Sequence, residues 1–232
     1  MEVCKIKMKK TLLVTAIVTA AFVASLGSGC AAPPPELDAA EELPEVEIRE
    51  YQGEDLSSID DFRENSIAGP QYVDISRYVL TVHGLVENEK SYSYDDVVEK
   101  HDTYKKVVAL DCVEGWSVKL LWEGILVKDI LDEVGVLPEA KVVIFRSVDN
   151  YSTSFLLDYI YDNDIIMAQR MNEVVLPPER GYPFQVVAES KWGYKWIKWV
   201  NEIELSDDES YEGFWEQRGY SNTGDRDESS FG

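Results

Sequence analysis

Residues 111–117 are Asp-Cys-Val-Glu-Gly-Trp-Ser, and residues 121–124 are Leu-Trp-Glu-Gly. The preceding run, 106–110, is mainly apolar and favours a buried strand, whereas 127–134 has apolar residues at helical spacing. We therefore predict that Cys112 lies where a strand passes into a loop, a position from which a scaffold can present a reactive side chain. A small residue of the hydrophobic core is the alternative interpretation of this cysteine.

Four further stretches follow the cysteine stretch along the chain. They are Ile-Phe-Arg-Ser-Val-Asp-Asn-Tyr at 144–151, Leu-Pro-Pro-Glu-Arg-Gly-Tyr-Pro at 176–183, Trp-Gly-Tyr-Lys at 192–195 with Lys-Trp at 198–199, and Gly-Phe-Trp-Glu to Gly-Tyr-Ser at 213–221. With these stretches in this order, roughly residues 60 to 225 resemble the sulfite-oxidase-type molybdopterin-binding oxidoreductases. The loop around the cysteine is most similar to the periplasmic methionine-sulfoxide-reductase catalytic-subunit branch of that family.

Strand candidates outnumber helix candidates and do not alternate with them regularly, which favours an α+β domain over a doubly wound sheet. The predicted strands are 78–82, 106–110, 141–145, 165–168, 184–187 and 200–205, and the predicted helices are 94–100 and 127–134. The resemblance implies the same class, a single mixed-sheet molybdopterin-binding domain of the sulfite-oxidase type.

The resemblance also implies a Mo-molybdopterin cofactor with one molybdenum, to which Cys112 supplies the protein thiolate. Glu114 matches a glutamate of the methionine-sulfoxide-reductase branch, and we take Cys112 and Glu114 as the catalytic candidates. Glu114 is either a proton relay or a solvated loop carboxylate. The cofactor-binding residues that the resemblance implies are Asn65, Cys112, Ser147, Arg180, Gln185, Gly193, Tyr194 and Lys195.

Two of these positions depart from the family pattern. Arg180 stands where relatives carry His or Asn, and Gln185 stands where relatives carry Arg, as if a guanidinium had moved across one pocket. Lys191, Lys195 and Lys198 concentrate positive charge in the segment that resembles the family's phosphate-holding segment. A surface patch of ordinary lysines is the alternative for these three.

The formal net charge of the 232-residue chain is −22, and residues 36–64 alone hold twelve acidic and two basic residues. Such a chain repels nucleic-acid phosphates and anionic lipid, so we expect neither as a partner. His83 and His101 are the only two histidines and lie in separate segments, which argues against a zinc or iron site made of protein side chains. No Gly-rich phosphate loop is present, so nucleotide-binding folds lack support.

The first thirty residues resemble an export signal. Four lysines precede the apolar run 11–26, and small residues then lead to Cys30. Cys30 is predicted to be lipidated, with cleavage and release or retention as an anchor as the alternatives. We predict residues 1–30 to be a signal peptide with a lipoprotein-like cysteine, 31–55 an acidic Pro-rich tether, 56–225 the domain, and 226–232 an acidic tail. The domain is then expected on the outer face of the cytoplasmic membrane.

We predict a molybdopterin-dependent oxidoreductase that transfers an oxygen atom to or from a small oxo-substrate, either an S-oxide or a sulfite-like compound. Glu114 disfavours the sulfite anion and favours a neutral or zwitterionic S-oxide. Electrons are expected from a separate protein, a haem subunit or a cytochrome. The N-terminal basic run lacks the twin arginines typical of cofactor-loaded exported proteins. A cofactor-free cell-surface binding module on the same fold is therefore the rival hypothesis, followed by a structural envelope lipoprotein.

Overall fold

The structure is a computed structural model that describes residues 4–6 and 45–232. The predicted signal peptide, apart from residues 4–6, and the tether up to residue 44 lie outside the described residues. The described residues fall into one compact unit. Among them, no helix is long and apolar enough to span a membrane.

The domain contains thirteen short strands and three short helices in the described ranges. In chain order they are β1 (Cys4–Ile6), β2 (Glu50–Tyr51), β3 (Glu54–Asp55), β4 (Leu80–Gly84), β5 (Lys90–Tyr92), α1 (Tyr94–Lys100), β6 (Thr103–Asp111), β7 (Ser117–Leu126), α2 (Val127–Val134), β8 (Val142–Ser147), β9 (Ser152–Leu156), α3 (Leu157–Asp162), β10 (Ile166–Met171), β11 (Val174–Val175), β12 (Gln185–Val187) and β13 (Val200–Ser206). Four 3₁₀ turns lie at Ile75–Arg77, Pro178–Arg180, Gly193–Lys195 and Glu216–Arg218.

Two larger sheets and one hairpin organise these strands. The first sheet has the order β1-β6-β7-β10-β11, with β12 also paired to β10, and the second has the order β5-β4-β13-β8-β9. In the second sheet β4 and β13 run parallel while the other pairs are antiparallel. The predicted α+β class with mixed sheets is therefore confirmed.

One hydrophobic core joins both sheets. It includes Leu80 and Val82 of β4, Leu120 and Trp122 of β7, and the apolar face of α2. That face is formed by Val127, Ile130, Leu131 and Val134, whose spacing is that of a helix packed on one side. The spacing that predicted this helix therefore also gives its buried face.

The long hairpin β6–β7 positions the cysteine. Its register pairs Asp111 with Ser117, so that residues 112–116 form the hairpin loop. The sequence predicted β6 but not β7, because β7 is buried on both sides over most of its length and lacks the alternation of a half-exposed strand. Strand β9 and helix α3 were likewise not predicted.

Residues 45–55, which the sequence analysis assigns to the tether, contact the domain in the structure. Glu45 forms an ion pair with Arg170 at 2.7 Å, and the Glu47 carboxylate accepts a hydrogen bond from the Asn172 side chain at 2.9 Å. At the other end of the chain, Arg226 of the predicted tail pairs with Asp111 at 2.7 Å. These contacts join residues that are far apart in sequence. An acidic run without apolar periodicity does not predict them.

Helix α1 begins with a capping box. The Ser93 hydroxyl accepts a hydrogen bond from the Asp96 amide at 3.1 Å, and the Asp96 carboxylate accepts one from the Ser93 amide at 3.1 Å. We expect Ser93→Ala to lower the free energy of unfolding by about 1 kcal/mol, because a helix amide loses its partner. Urea denaturation measures this. Ser91→Ala on the exposed side of β5 is the control, and an equal loss there would contradict the capping role.

Candidate active site

The loop at residues 112–116 is a tight turn that holds Cys112 in place. The Cys112 amide donates to the Trp116 carbonyl at 2.9 Å, and the Gly115 amide donates to the Cys112 carbonyl at 3.0 Å. Gly115 has a φ of 88°, a left-handed conformation that favours glycine. The predicted position of Cys112, immediately after a strand, is what the structure shows.

The Cys112 side chain lies at the wall of a cavity of about 410 Å³. Five parts of the chain form this cavity. They are residues 62–67, the cysteine loop, the turn after β8, residues 179–180 and 185, and the segment 193–199 with Trp215 and Tyr220. Ligand sites in proteins usually occupy several hundred Å³, so the volume suits a small organic cofactor. Of the sequence-predicted site residues, the structure brings Asn65, Cys112, Glu114, Arg180, Gln185, Gly193 and Tyr194 to this cavity.

The thiol of Cys112 is nearly covered, with 9% of the residue exposed. Burial raises the pKa of the thiol, and the nearby Glu114 charge raises it further. Hydrogen bonds from the Glu114 and Val113 amides and from the Asn65 side chain act in the opposite direction, because they stabilise the thiolate. The Asn65 Nδ2 atom lies 3.8 Å from the Cys112 Sγ atom. A bound cation would favour the same thiolate form.

Glu114 is exposed on the loop next to this thiol. Hydrogen bonds from Asn65 and then from the Trp116 indole lower the pKa of its carboxyl group. The Trp116 Nε1 atom is 3.3 Å from Glu114 Oε2. Glu114 therefore presents a negative charge at the cavity, and the positive charge of the exposed Arg63, which also lines the cavity, helps to lower its pKa.

Ser147 does not line the cavity, although we expected it to contact the cofactor. It is buried at the end of β8, and its hydroxyl donates to the Asp149 carboxylate. Asp149 also accepts a hydrogen bond from the Tyr151 amide at 3.1 Å, and it is Asp149 that lines the cavity. Asp149 lies in the quoted stretch 144–151, but the sequence analysis did not include it among the candidate site residues.

Lys195 does not reach the cavity either. Its side chain is fully buried, and its Nζ atom donates to the Glu216 carboxylate at 2.7 Å and to the Asn222 carbonyl at 2.9 Å. Lys198 lines the cavity instead, with its Nζ atom 2.5 Å from the Glu64 carboxylate. Burial lowers the pKa of Lys198, and Glu64 counteracts this. The sequence analysis placed Lys195 in the cofactor site, but in the structure Lys198 is the lysine whose side chain lines the cavity.

Gly193 permits a close approach of two chain segments. A Cβ atom at this position would lie 3.3 Å from the Asp111 carbonyl oxygen and 3.6 Å from the Cys112 Cα atom. A parallel β-bridge also pairs the backbone of Asp111 with that of Trp192, next to Gly193. Tyr194 follows, and its hydroxyl donates to the Ser221 carbonyl at 2.7 Å. The segment at 193–194 therefore lies directly against the cysteine.

Arg180 and Gln185, the two positions that depart from the family pattern, both line the cavity. The Arg180 guanidinium donates to the carbonyls of Ile59 and Phe62 at 3.0 and 2.7 Å, and burial lowers its pKa. Gln185 is 3% exposed and lines the cavity. Its side-chain amide carries both a donor and an acceptor, so it can form hydrogen bonds with a bound molecule.

Sequence comparison decides the family of this site. Residues 67–215 match the family described as the oxidoreductase molybdopterin binding domain. The chain belongs to this family. The molybdopterin-dependent oxidoreductase class that the sequence predicted is thereby confirmed.

Several relatives support this assignment. The chain is 32% identical over 157 residues to the uncharacterized oxidoreductase YuiH of Bacillus subtilis strain 168, a match that covers 67% of this chain and 78% of YuiH. It is 29% identical over 143 residues to the protein-methionine-sulfoxide reductase catalytic subunit MsrP of Burkholderia mallei, covering 55% of this chain and 43% of MsrP. The chain thus corresponds to less than half the length of that MsrP.

A solved structure shows the same fold. The sulfane dehydrogenase SoxCD of Paracoccus pantotrophus superposes with a TM-score of 0.58 and 21% identity, covering 64% of this chain and 42% of that chain. At this level of identity the likeness concerns the fold alone.

The residues of the cavity fit a molybdenum-pterin cofactor. Cys112 is the one cysteine in the described range 45–232, and it lines the cavity. Around it are the Ser66 hydroxyl, which has no partner among the described residues, the Gln185 amide, and cationic groups at Arg63, Arg180 and Lys198. A soft ligand for the metal and polar groups for a pterin and its phosphate are the donors that such a cofactor requires.

Proposed function

We propose that this domain catalyses oxygen-atom transfer involving a small S-oxide, most simply its reduction to the sulfide. The observation that carries the proposal is the placement of Cys112, the one cysteine in the described range 45–232, at the wall of a cavity that also contains the unpartnered Ser66 hydroxyl. MsrP, to which the chain is similar, is named for methionine-sulfoxide reduction. A sulfite-like substrate is the second possibility within the same reaction class.

The residues of the chain would hold the cofactor as follows. Cys112 would supply the thiolate ligand to molybdenum, and the Gln185 amide, the Ser66 hydroxyl and the Asn65 amide would bind the organic part. Arg180 and Lys198 would balance the negative charge of the phosphate. When bound, the cofactor supplies the two-electron redox change that oxygen-atom transfer requires.

Glu114 is the group of the chain best placed to move protons. Reduction of an S-oxide to a sulfide and water consumes two electrons and two protons, so the site needs a path for protons from solvent. Glu114 is exposed, lies two residues from Cys112, and accepts hydrogen bonds from Asn65 and Trp116. In this position its carboxylate can relay protons from water into the cavity.

Charge at the cavity favours a substrate without net negative charge. Four acidic residues, Glu64, Glu114, Asp149 and Glu179, line the cavity together with three cationic residues, Arg63, Arg180 and Lys198. Of these cations, Lys198 is already paired with Glu64 and Arg180 is bonded to backbone carbonyls. A neutral or zwitterionic S-oxide therefore meets less repulsion here than the sulfite dianion.

The electrons would come from a separate protein, a haem subunit or a cytochrome, and the domain would work at the outer face of the cytoplasmic membrane. The basic and apolar N-terminal run ending at Cys30 supports this location, with a lipid or an uncleaved segment as the membrane anchor. The partner remains defined only by this chemistry.

Metal analysis and turnover of the native protein test the proposal. We expect about one molybdenum per chain, with pterin fluorescence after acid release, in protein from the native membrane fraction, since a single Cys112 ligates one metal. With reduced viologen as electron donor, methionine sulfoxide should be consumed faster than sulfite is oxidised with a matched acceptor dye. Metal and pterin absent from native protein would favour the cofactor-free binding module. Molybdenum with sulfite oxidation alone would overturn the S-oxide assignment.

A further inference from the structure

One wall of the cavity is an irregular segment. Residues 62–67 all line the cavity and contain neither helix nor strand; we call them the covering segment. Asn65 of this segment approaches the Cys112 sulfur, and the buried Ser66 hydroxyl has no partner among the described residues. The position of the covering segment therefore decides both the exposure of Cys112 and the placement of two polar groups.

The covering segment has almost no backbone hydrogen bonds of its own. Within the described part of the chain, the Phe62 carbonyl is the one main-chain group of residues 62–67 that takes part in a hydrogen bond, and its donor is Arg180. Segments with so few backbone bonds open locally at low free energy. Side chains from elsewhere must then hold the segment in place.

Arg180 makes the largest set of these contacts. Its Nε atom donates to the Ile59 carbonyl at 3.0 Å and its Nη2 atom to the Phe62 carbonyl at 2.7 Å. Its guanidinium carbon also lies 3.8 Å from the centre of the Phe62 ring. The Phe62 ring in turn lies 5.7 Å from the ring of Trp116 in the cysteine loop. One buried side chain thus joins the segment to the loop that carries Cys112.

A second contact holds the middle of the segment. Lys198 forms an ion pair with Glu64 at 2.5 Å and also donates to the Glu179 carbonyl at 3.2 Å. The two side chains of this pair are 15% and 24% exposed, so the pair is partly shielded from solvent. Lys198 and Arg180 therefore hold the segment at two successive points.

We propose that Arg180 is the positioning residue that closes the covering segment over Cys112, with Lys198 as a second, weaker contact. The geometry requires a guanidinium, because two donors must reach two carbonyls three residues apart while the planar group stacks on Phe62. A lysine offers one charged nitrogen and no plane, and a histidine or asparagine is shorter. The role follows from contacts within the chain and holds whether or not the proposed reaction is correct.

Two readouts independent of activity test this role in the full-length chain. Trypsin cleavage after the exposed Arg63 reports opening of the segment, and alkylation of Cys112 by iodoacetamide, measured by peptide mass in protein produced without molybdenum, reports access to the thiol. Both rates follow the population of the open form when opening and closing are fast. Comparing alkylation at several pH values separates access from a change in thiol ionisation.

For Arg180→Ala we expect both rates to rise about tenfold, since two hydrogen bonds of about 0.7 kcal/mol each are lost and 1.4 kcal/mol corresponds to a factor of ten. Arg180→Lys should give about a threefold rise, because one donor can be retained. Lys119→Ala is the control, since Lys119 pairs with Glu54 at an exposed position away from the cavity. Its rates should equal those of the unmodified chain.

Rates unchanged by Arg180→Ala in a folded protein would overturn the proposal. Folding is checked by circular dichroism before either assay. If Arg180→Ala does not fold, Lys198→Met provides the second test, because it removes the Glu64 ion pair without changing residues next to the cleavage site. We expect it to raise cleavage at Arg63 about threefold, since a partly buried pair contributes about 0.7 kcal/mol. An unchanged rate in Lys198→Met together with Arg180→Lys would also overturn the proposal.

Discussion

Cys112→Ser is expected to abolish turnover while leaving the fold nearly unchanged. The substitution removes the one soft ligand that the described residues present to the cavity, and it replaces a thiol that ionises readily with a hydroxyl that stays protonated at neutral pH. Loss of an outer partner of a metal ligand typically reduces activity by about ten to a hundredfold, so loss of the ligand itself should exceed about a hundredfold.

The fold should tolerate the change because the loop is held by its backbone. The hydrogen bonds between Cys112 and Trp116 and between Gly115 and Cys112 involve main-chain atoms, and both remain in the variant. A serine hydroxyl can also accept the hydrogen bonds that Asn65 and the loop amides now direct at the sulfur. We therefore expect the free energy of unfolding to change by about 1 kcal/mol or less, within the usual range for single substitutions.

Steady-state kinetics, molybdenum content and urea denaturation together measure this prediction. Cys30→Ser is the matched control, since it makes the same chemical change outside the domain and should leave turnover of the solubilised enzyme intact. Full activity in Cys112→Ser would refute the proposed metal ligation. A large loss of stability would show instead that Cys112 acts mainly as a core residue, the alternative that the sequence left open.

Local signals explain which parts of the fold the sequence could predict. Helices α1 and α2 were predicted with their observed bounds because a helix is specified by residues close together in sequence. Strand β7 was missed because tertiary contacts cover both of its faces, which removes the period-two pattern. Both sheets also join strands distant in the chain, as in the parallel pair of β4 and β13, and no local pattern specifies that pairing.

The candidate site also contains residues that local motifs could place and residues that depend on tertiary contacts. The hairpin loop around Cys112 and the segment at Gly193 could be placed from motifs, and the structure brings both to one cavity. Lys195 and Lys198 could not be distinguished, because a 3₁₀ turn ends at Lys195 and the chain then changes direction, so that only Lys198 faces the cavity. The two carbonyls bonded by Arg180 are 118 and 121 positions away in sequence, a separation at which residue spacing carries no information.

Lys195 is fully buried, so the loss of its charge should affect stability more than the loss of a surface lysine would. Lys195 and Glu216 form an ion pair in which neither side chain is exposed, and the same Glu216 oxygen accepts a hydrogen bond from Thr153 at 2.7 Å. Burial lowers the pKa of Lys195, and the Glu216 charge opposes this shift. The pair lies beside Tyr194, whose backbone carbonyl accepts the hydrogen bond of the Tyr151 hydroxyl at the cavity.

Lys195→Met is expected to lower the free energy of unfolding by about 3–5 kcal/mol, because it leaves the Glu216 carboxylate buried without a counter-charge. Glu216 Oε2 already has no partner among the described residues, so little remains to compensate that charge. Lys191→Met is the control: the Asp225 side chain in its ion pair is 40% exposed, so that loss should be about 1 kcal/mol or less.

The double variant Lys195→Met/Glu216→Leu should recover much of the stability, because removing both charges removes the uncompensated one. Urea denaturation of the unmodified chain, Lys195→Met, Glu216→Leu and the double variant gives the coupling energy of the pair. A loss in Lys195→Met no larger than that in Lys191→Met would show that Lys195 and Glu216 are not a buried charged pair, and would favour the phosphate-binding role that the sequence first indicated for Lys195.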